Sequence, residues 1–528
     1  MKNYLLLIVL TLISLSIHAQ SNYYVSTSGS DAGSGSIDDP WKTIQHAMDN
    51  ASPGSTVMIS GGTYNEKVYM NVSGTPGNWI VFKNNNNEQV IIDGSGWTDP
   101  AICEIYDQSY IRLEGLHFKN NVREDAMGIF IEGLCHHIEI INCKISEIHF
   151  SNDPNAPINE TTNSQPLIVY GVEDTPITDL LIEGCEIFDS RTGYSEALAI
   201  NGNVNGFEIS SNTIHHITNI GIDIIGHEGT CSNPALDQAR NGTIGRNTVY
   251  NCQSPYASSA GIYVDGGKEL IIENNTVYNN QWGIEVGCEN IGKTTSGVIV
   301  RNNVIYQNTS AGIQLGGYDF PSGSGKVTNS KILNNTLFDN ATINYYDGEL
   351  TLTYSENCEV VNNVFYATNP EAQTLALEDV ETIPPGLVLN HNLWYHPDGS
   401  NEIYIYWSGM DYESFDDFVN STGFEVNSIF ADPIFVSTSS TNPDLHIKSD
   451  SPAKNAADQS YIADAGEKDM DNEDRVNESL DLGADEYHVS SGIFSQQPAK
   501  SLWFIQTQPV ILFIWKIDPT ITKLQGLR

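Results

Sequence analysis

A short repeat that begins with asparagine runs through this 528-residue chain and constrains its fold more than any other feature. The clearest copies are Asn-Thr-Val-Tyr at 247–250 and 275–278, Asn-Val-Ile-Tyr at 303–306, Asn-Thr-Leu-Phe at 335–338 and Asn-Val-Phe-Tyr at 363–366. From Asn247 to Asn392 the first asparagines are 28, 28, 32, 28 and 29 residues apart. Earlier members of the column are Leu116, Cys143, Cys185 and Asn212. We read nine coils of one stacked repeat.

The repeat predicts an all-β solenoid. Strands this short cannot bury an apolar face alone, but a period of roughly 20 to 50 residues lets each coil cover its neighbour. β-branched residues alternate with polar ones, as half-buried strands require. We therefore predict a parallel β-helix, with the asparagines as an inward ladder whose amides bond from coil to coil at about 4.8 Å.

The composition and the N-terminal sequence indicate where the protein is located and exclude some classes of partner. Met1-Lys-Asn leads into an apolar run from Leu5 to Ile17, which predicts a signal peptide over 1–19, cleaved before Gln20 or Ser21, and a secreted protein. The 66 Asp and Glu against 24 Lys and Arg argue against nucleic acid and anionic membranes, and we expect a monomer that does not insert into membranes.

The eight cysteines allow disulfides in an exported protein. Cys143 and Cys185 occupy the inward column, so we expect them to be free core thiols. Cys231 and Cys252 flank an inserted loop, and we expect a bridge between them. No Cys/His spacing resembles a zinc site, and no metal is predicted.

Segments at both ends resemble those of secreted bacterial right-handed β-helix proteins, which include carbohydrate-active enzymes of the pectate-lyase-like superfamily. At the start, residues 23–66 carry Trp41, Ile44, Ala47 and Met48 at helical spacing, which predicts a short capping helix over the open end of the solenoid. At the other end, residues 430–435 and 481–487 look like a closing segment. We predict a solenoid over 20–400, a closing segment over 401–487 and an atypical tail over 488–528.

Carboxylates recur on one outward sheet face. The strands read Gly-Ile-Asp-Ile at 221–224, Gly-Ile-Tyr-Val-Asp at 261–265, Gly-Ile-Glu-Val at 283–286 and Gly-Ile-Gln-Leu at 312–315. Alternation points the aliphatic residues inward and Asp223, Tyr263, Asp265, Glu285 and Gln314 outward. Asp223 and Glu285 hold equivalent positions two coils apart, with Asp265 between them and two residues further along. Like charges this close raise at least one pKa, as a general acid requires.

Residues 261–265 with 284–286 resemble the catalytic strand pair of a bacterial β-xylosidase family built on a right-handed β-helix. That resemblance implies Asp265 as nucleophile and Glu285 as general acid/base. The match covers about one coil, and Gly266-Gly-Lys stands where that family has an aromatic residue. Asp265 could instead be only a turn residue before the glycines.

The remaining candidates surround this strand pair. Asp223 would tune or position the pair, and His227 is a fourth catalytic candidate because it lies in the inserted loop 226–240. The expected substrate-binding residues are Tyr263, Lys268, Trp282, Arg240, Glu289 and Gln314. Each also has an ordinary alternative, as a surface charge or an aromatic residue packed against a neighbouring coil.

Three functions remain open. The first is a glycoside hydrolase acting on a plant or algal cell-wall polysaccharide or oligosaccharide, which needs no cofactor. The second is a polysaccharide lyase in which Asp223, Asp265 and Glu285 hold Ca²⁺ and Lys268, His227 or Arg240 removes a proton. The third is a non-catalytic carbohydrate-binding surface protein, because fold alone does not decide function.

Overall fold

The computed structural model describes residues 22–488 except 345, 381, 477 and 478. The described residues from Asn22 to Tyr487 form one compact unit. The predicted signal peptide and the tail beyond His488 lie outside the described residues. Within them, no helix is long and apolar enough to cross a membrane.

Three long sheets run along a solenoid, and nearly all their strand pairs are parallel. Sheet 1 has 15 strands: Asn22–Val25, Thr56–Ile59, Ile80–Asn84, Ser109–Glu114, His136–Ile141, Thr178–Glu183, Asn205–Ser210, Arg240–Gly245, Lys268–Glu273, Thr294–Arg301, Lys331–Leu333, Glu359–Val361 and Val388–Asn390, with Lys326–Thr328 and Ser355–Glu356 beside this path.

Sheets 2 and 3 have 13 strands each. Sheet 2 contains Val68–Met70, Ala101–Tyr106, Ala126–Glu132, Ser164–Gly171, Leu198–Gly202, Ile222–Ile225, Ala260–Asp265, Trp282–Gly287, Ile313–Leu315, Leu350–Leu352, Leu375–Leu377, Ile405–Trp407 and the antiparallel Met410–Tyr412. Sheet 3 contains Gly62–Tyr64, Val90–Asp93, Leu116–Val122, Lys144–His149, Glu186–Ser190, Thr213–Ile217, Thr248–Cys252, Thr276–Tyr278, Val304–Tyr306, Thr336–Phe338, Val364–Tyr366, Leu393–Tyr395 and Ile429–Phe430.

The parallel β-helix is therefore confirmed, but nine coils are too few. Each turn of the chain adds one strand to each sheet, and sheet 3 alone has 13 strands. The coils that escaped detection carry Gly62, Val90 and Ser428 at this register position in place of asparagine. Because another residue occupies the position there, the sequence signature disappears while the coil remains.

The asparagine ladder is confirmed in detail. The side-chain amide of Asn275 donates to Asn303 Oδ1 at 2.9 Å, and that of Asn303 donates to Asn335 Oδ1 at 2.9 Å. The same geometry repeats from Asn212 to Asn392. A second ladder, which the sequence analysis missed, joins Asn280, Asn308 and Asn340 and ends on the Glu349 carboxylate. Both satisfy buried backbone groups where the chain turns between sheets.

The aromatic residue that ends each repeat packs outside sheet 3. The Tyr250 and Tyr278 rings are 4.9 Å apart, and the Tyr278 and Tyr306 rings are 4.8 Å apart and nearly parallel. Further along, the closing segment covers this column, where Phe435 packs on Phe338 and Tyr366. That segment also contains the hairpin Phe435–Ser437 and Asp444–Ile447.

Two helices lie at the ends of the solenoid. Helix Ile44–Asn50 starts at the N-cap Thr43 and buries Ile44, Ala47 and Met48 in the core, which confirms the predicted cap. Helix Phe415–Thr422 buries Phe415 and Phe418 beside the last coils. Two 3-10 turns, Asn85–Asn87 and Ser400–Glu402, complete the helical structure of the described residues.

One of the two cysteine predictions is confirmed and the other is wrong. Cys143 and Cys185 are buried core thiols, as expected. The predicted Cys231–Cys252 bridge is wrong, because both residues are free. Cys252 points into the solenoid core at the end of its strand, whereas Cys231 lies in the inserted loop, where its thiol faces the Glu173 carbonyl.

Candidate active site

A cleft of about 760 Å³ crosses the outer face of sheet 2. Its floor spans strands from Ala126–Glu132 to Leu350–Leu352, which is seven strand-to-strand steps. At about 4.8 Å a step the cleft is roughly 34 Å long, enough for several sugar units of an extended chain. Eleven carboxylates line it: Asp125, Glu160, Glu196, Asp223, Glu228, Asp265, Glu285, Glu289, Asp347, Glu378 and Asp379. Among the described lining residues there is no Lys, Arg or His.

The predicted strand register is confirmed. Asp223 pairs with Tyr263, and Tyr263 pairs with Glu285, so the two carboxylates stand in one outward column with the tyrosine between them. Gln314 follows Glu285 in the same column. Asp265 pairs with Gly287, two residues further along the strand. All of these side chains except that of Gly287, which has none, line the cleft.

Gly287 leaves space where these groups meet. A Cβ placed there would lie 3.1 Å from the Tyr263 hydroxyl and 3.6 Å from Glu285 Oε1. Both groups therefore extend over the glycine that neighbours Asp265. The Tyr263 hydroxyl also donates to Glu289 Oε1 at 3.3 Å, and the Glu289 backbone N–H donates to Asp265 Oδ1 at 2.7 Å.

The three predicted carboxylates are strongly perturbed. Burial, followed by the charges of Glu289 and Asp265, raises the pKa of Glu285 well above its usual range. Burial and Glu289 likewise raise the pKa of Asp265, although the N–H from Glu289 acts in the opposite direction. Burial and the charge of Glu196 raise the pKa of Asp223. Such a cluster binds protons at neutral pH more readily than isolated carboxyls do.

Asp223 differs from the other two because one of its oxygens lacks a partner. Its side chain is only 3% exposed, and within the described residues no donor reaches Oδ1. The same holds for Asn201 Oδ1, which also lines the cleft and belongs to the neighbouring strand. Buried acceptors without donors are costly, so this part of the cleft is suited to a ligand that supplies them.

Loops form the walls of the cleft. Glu228, on the inserted loop, accepts a hydrogen bond from the Asn290 side chain at 2.5 Å, which joins that loop to the one carrying Glu289. Gly266 allows its backbone to pass close to that of Gly226, because it has φ of +80° and a Cβ there would lie 2.4 Å from the Gly226 carbonyl oxygen. Asp265 ends the strand Ala260–Asp265, and its backbone carbonyl accepts the Gly226 N–H at 2.7 Å.

Three predicted residues do not line the cleft. Lys268 begins a strand of sheet 1, and its ammonium pairs with Glu269. Arg240 also begins a sheet 1 strand, and its guanidinium donates to Asn203 and to loop carbonyls. His227 turns toward the Thr294 carbonyl, 3.4 Å away. The sheet to which such a side chain belongs depends on where the chain turns at the end of a strand. The repeat does not encode the position of that turn.

The other predicted binding residues do line the cleft. Trp282 is half-buried, and its indole N–H donates to Asp347 at 3.3 Å. Glu289 is exposed at the rim. Sequence analysis missed Glu196, for which burial raises the pKa to about 7, and Glu228. Both lie in loops outside the repeat, so no periodic signal identifies them.

Family models match two stretches of the chain. Residues 23–170 match the model described as a Pel9A-like, right handed beta helix region, and residues 204–355 match one described as disaggregatase related. The first match confirms the predicted right-handed β-helix. The uncharacterized protein YwoF of Bacillus subtilis is 35% identical over 448 residues, which is 82% of this chain and 92% of YwoF.

Solved structures share the fold at low identity. Pectate lyase Pel9A has a TM-score of 0.50 at 15% identity, over 89% of this chain and 97% of that one. The A-module of the mannuronan C-5 epimerase AlgE6 of Azotobacter vinelandii has a TM-score of 0.52 at 14% identity, over 74% of this chain and 94% of that one.

Proposed function

The chain belongs to the same family of right-handed β-helix proteins as YwoF, and from this premise we propose that it is a polysaccharide-cleaving enzyme, specifically a glycoside hydrolase. The observation that carries the proposal is the pair Asp265 and Glu285 in a cleft whose described titratable side chains are carboxylates and tyrosines. Paired carboxylates are sufficient for glycoside hydrolysis and need no cofactor.

The register supports the spacing that this chemistry needs. Asp265 and Glu285 lie on neighbouring strands, offset by two residues. Strands about 4.8 Å apart and a rise of about 3.3 Å per residue put their backbones roughly 8 Å apart. Side chains from such positions can converge to the separation of about 5 to 5.5 Å between carboxyls that a covalent, retaining mechanism needs.

The environments of the two carboxyls support different roles. The pKa of both carboxyls is raised, but Asp265 accepts the Glu289 N–H, which opposes part of that rise. Glu285 has no such opposing contact within the described residues, so we assign Asp265 as the nucleophile. The raised pKa of Glu285 keeps it protonated, so we assign it as the acid. Glu285 would protonate the glycosidic oxygen as its bond to the anomeric carbon breaks, and Asp265 would bond to that carbon. Water, deprotonated by Glu285, would then displace Asp265.

The surrounding residues would position the sugar. Trp282 offers an aromatic face that the Asp347 hydrogen bond holds in place, and Gln314 offers an amide beside Glu285. Asp223 lies on the strand next to that of Tyr263, on the side away from Glu285, and its charge would tune the pKa of both catalytic carboxyls. A cleft of this length suits an extended polysaccharide chain as a substrate.

The test compares amide variants on a panel of neutral, uronic and amino polysaccharides. Asp265→Asn and Glu285→Gln should each lower the release of reducing ends by about 100- to 10,000-fold while the fold, followed by circular dichroism, is kept. Glu208→Gln is the matched control, because Glu208 lies on the outer side of sheet 1, paired with Arg246. Normal turnover in both variants would refute the assignment, and glycan binding without new reducing ends would indicate a binding protein.

A Ca²⁺-dependent polysaccharide lyase is the second candidate. Asp223 Oδ1 and the neighbouring carboxylates are hard oxygen donors of the kind Ca²⁺ prefers, and the first family model is Pel9A-like. Against it, the three proposed bases Lys268, His227 and Arg240 point away from the cleft. Absorbance near 235 nm that rises with reducing ends and disappears with chelator would support elimination.

A further inference from the structure

The cleft has far more carboxyl groups than glycosidic chemistry requires. Two carboxyls carry out the proposed reaction and a third tunes them, yet eleven line the cleft. None of the eleven takes part in an ion pair within the described part of the chain, although other carboxylates do. Lys83–Glu114, Lys326–Glu356 and Lys331–Glu359, for example, pair at 2.8, 2.7 and 2.9 Å on sheet 1.

Resting on the proposed hydrolase function, we propose that the substrate is a polycationic glycan, a polymer of hexosamine units with free amino groups. An ammonium group supplies N–H donors and positive charge together, and all the acidic or basic side chains among the described lining residues of the cleft, apart from tyrosines, are carboxyls. A uronate polymer would be repelled along the whole length of the cleft. A neutral glycan would leave most of the carboxylates without a partner.

The buried acceptors show where an amino group would bind. Asp223 and Asn201 are 3% and 8% exposed, and each has an oxygen without a donor within the described residues. Asn201 lies on the neighbouring strand, two residues beyond the partner of Asp223. The two backbones are therefore roughly 8 Å apart on one diagonal, across which an ammonium group can donate to both side chains.

The rim would bind further amino groups along the polymer. Glu228 and Glu289 are exposed on two loops that the Asn290 side chain joins. Towards the C-terminal end, Asp379 is exposed beside Glu378, whose pKa rises to about 7 through burial and the charges of Asp347 and Asp379. Carboxylates at both ends of a long cleft match a polymer with repeated charges better than they match a ligand with a single charged group.

The experiment measures binding of matched oligomers that differ only in the N-acetyl group. Oligomers of glucosamine and of galactosamine, each in its free-amine and N-acetylated form, are titrated calorimetrically into the full-length Glu285→Gln variant at pH 6 with EDTA. In at least one pair the free-amine oligomer should bind at least tenfold more tightly, and 0.5 M NaCl should abolish most of that preference. Glu228→Gln with Glu289→Gln should weaken the preference, whereas Glu208→Gln should leave it unchanged.

The outcomes separate this inference from the proposed function. Equal or weaker binding of the free-amine oligomers, or no binding in either pair, overturns the cationic substrate. Wild-type release of reducing ends from a neutral polysaccharide would then still support the hydrolase. Binding of uronate oligomers only when Ca²⁺ replaces EDTA also overturns it, in favour of a cation-bridged anionic substrate. If no glycan yields reducing ends, the hydrolase itself fails, whatever the binding data show.

Discussion

Replacing Asn303 with leucine should destabilise the protein by about 4 kcal/mol. The Asn303 side chain is fully buried and donates to the Ile272 carbonyl and to Asn335 Oδ1, both at 2.9 Å. Its own oxygen accepts the backbone and side-chain N–H groups of Asn275 at 2.9 Å. Leucine has nearly the same size, so little cavity forms, but four hydrogen bonds disappear at roughly 1 kcal/mol each and leave their partners buried.

Urea denaturation followed by circular dichroism measures this loss. Asn420→Leu is the control, because Asn420 is exposed on helix Phe415–Thr422 and should change the free energy of unfolding by less than about 0.5 kcal/mol. Asn212→Cys should cost less than Asn303→Leu, since the preceding coil already uses Cys185 at this position. A loss below about 1 kcal/mol for Asn303→Leu would refute the view that the ladder holds the coils together.

Two further predictions concern the cleft wall and pH. Gly266→Ala should lower both stability and turnover, because its Cβ would lie 2.4 Å from the Gly226 carbonyl oxygen. Gly229→Ala is the control, because Gly229 has a similar positive φ but open space around it, and this variant should lose only about 1 kcal/mol of stability. Equal shifts of the melting temperature in the two variants would contradict the close approach of Gly266 to Gly226. Burial raises the pKa of Glu349 to about 8 and of Glu425 to about 7, so the folded protein retains protons that the unfolded chain releases above about pH 4.3. The melting temperature should therefore fall as pH rises from 5 to 8, less so in Glu349→Gln, and a melting temperature that rises over this range would disprove the effect.

The repeat predicted the site scaffold because strand alternation and coil stacking are local and periodic. Knowing that Asp223, Tyr263 and Glu285 lie in equivalent positions was enough to place them in one column. Their burial was not predictable in the same way. Asp223 is 3% exposed, and the charges that raise its pKa include those of the loop residues Glu196 and Glu289, which are far away in sequence.

Errors arose where a side chain leaves the periodic part of the chain. Lys268 and Arg240 follow loops, and sequence proximity to Asp265 suggested a shared site. In the fold, the chain turns from sheet 2 to sheet 1 at that point, so neighbours in sequence face different directions. The Cys231–Cys252 bridge failed for the same reason, since one thiol is in a loop and the other in the core.

The β-helix, its asparagine ladder and the outward columns of carboxylates follow from the amino-acid sequence alone, because each depends on a side-chain period of two within a coil and one coil per repeat. Folding was needed to bring eleven carboxylates from eight coils and several loops into one cleft whose described lining residues include no Lys, Arg or His. Loop paths are set by non-local packing and close approaches such as that of Gly266 to Gly226, and these leave no periodic trace in the chain.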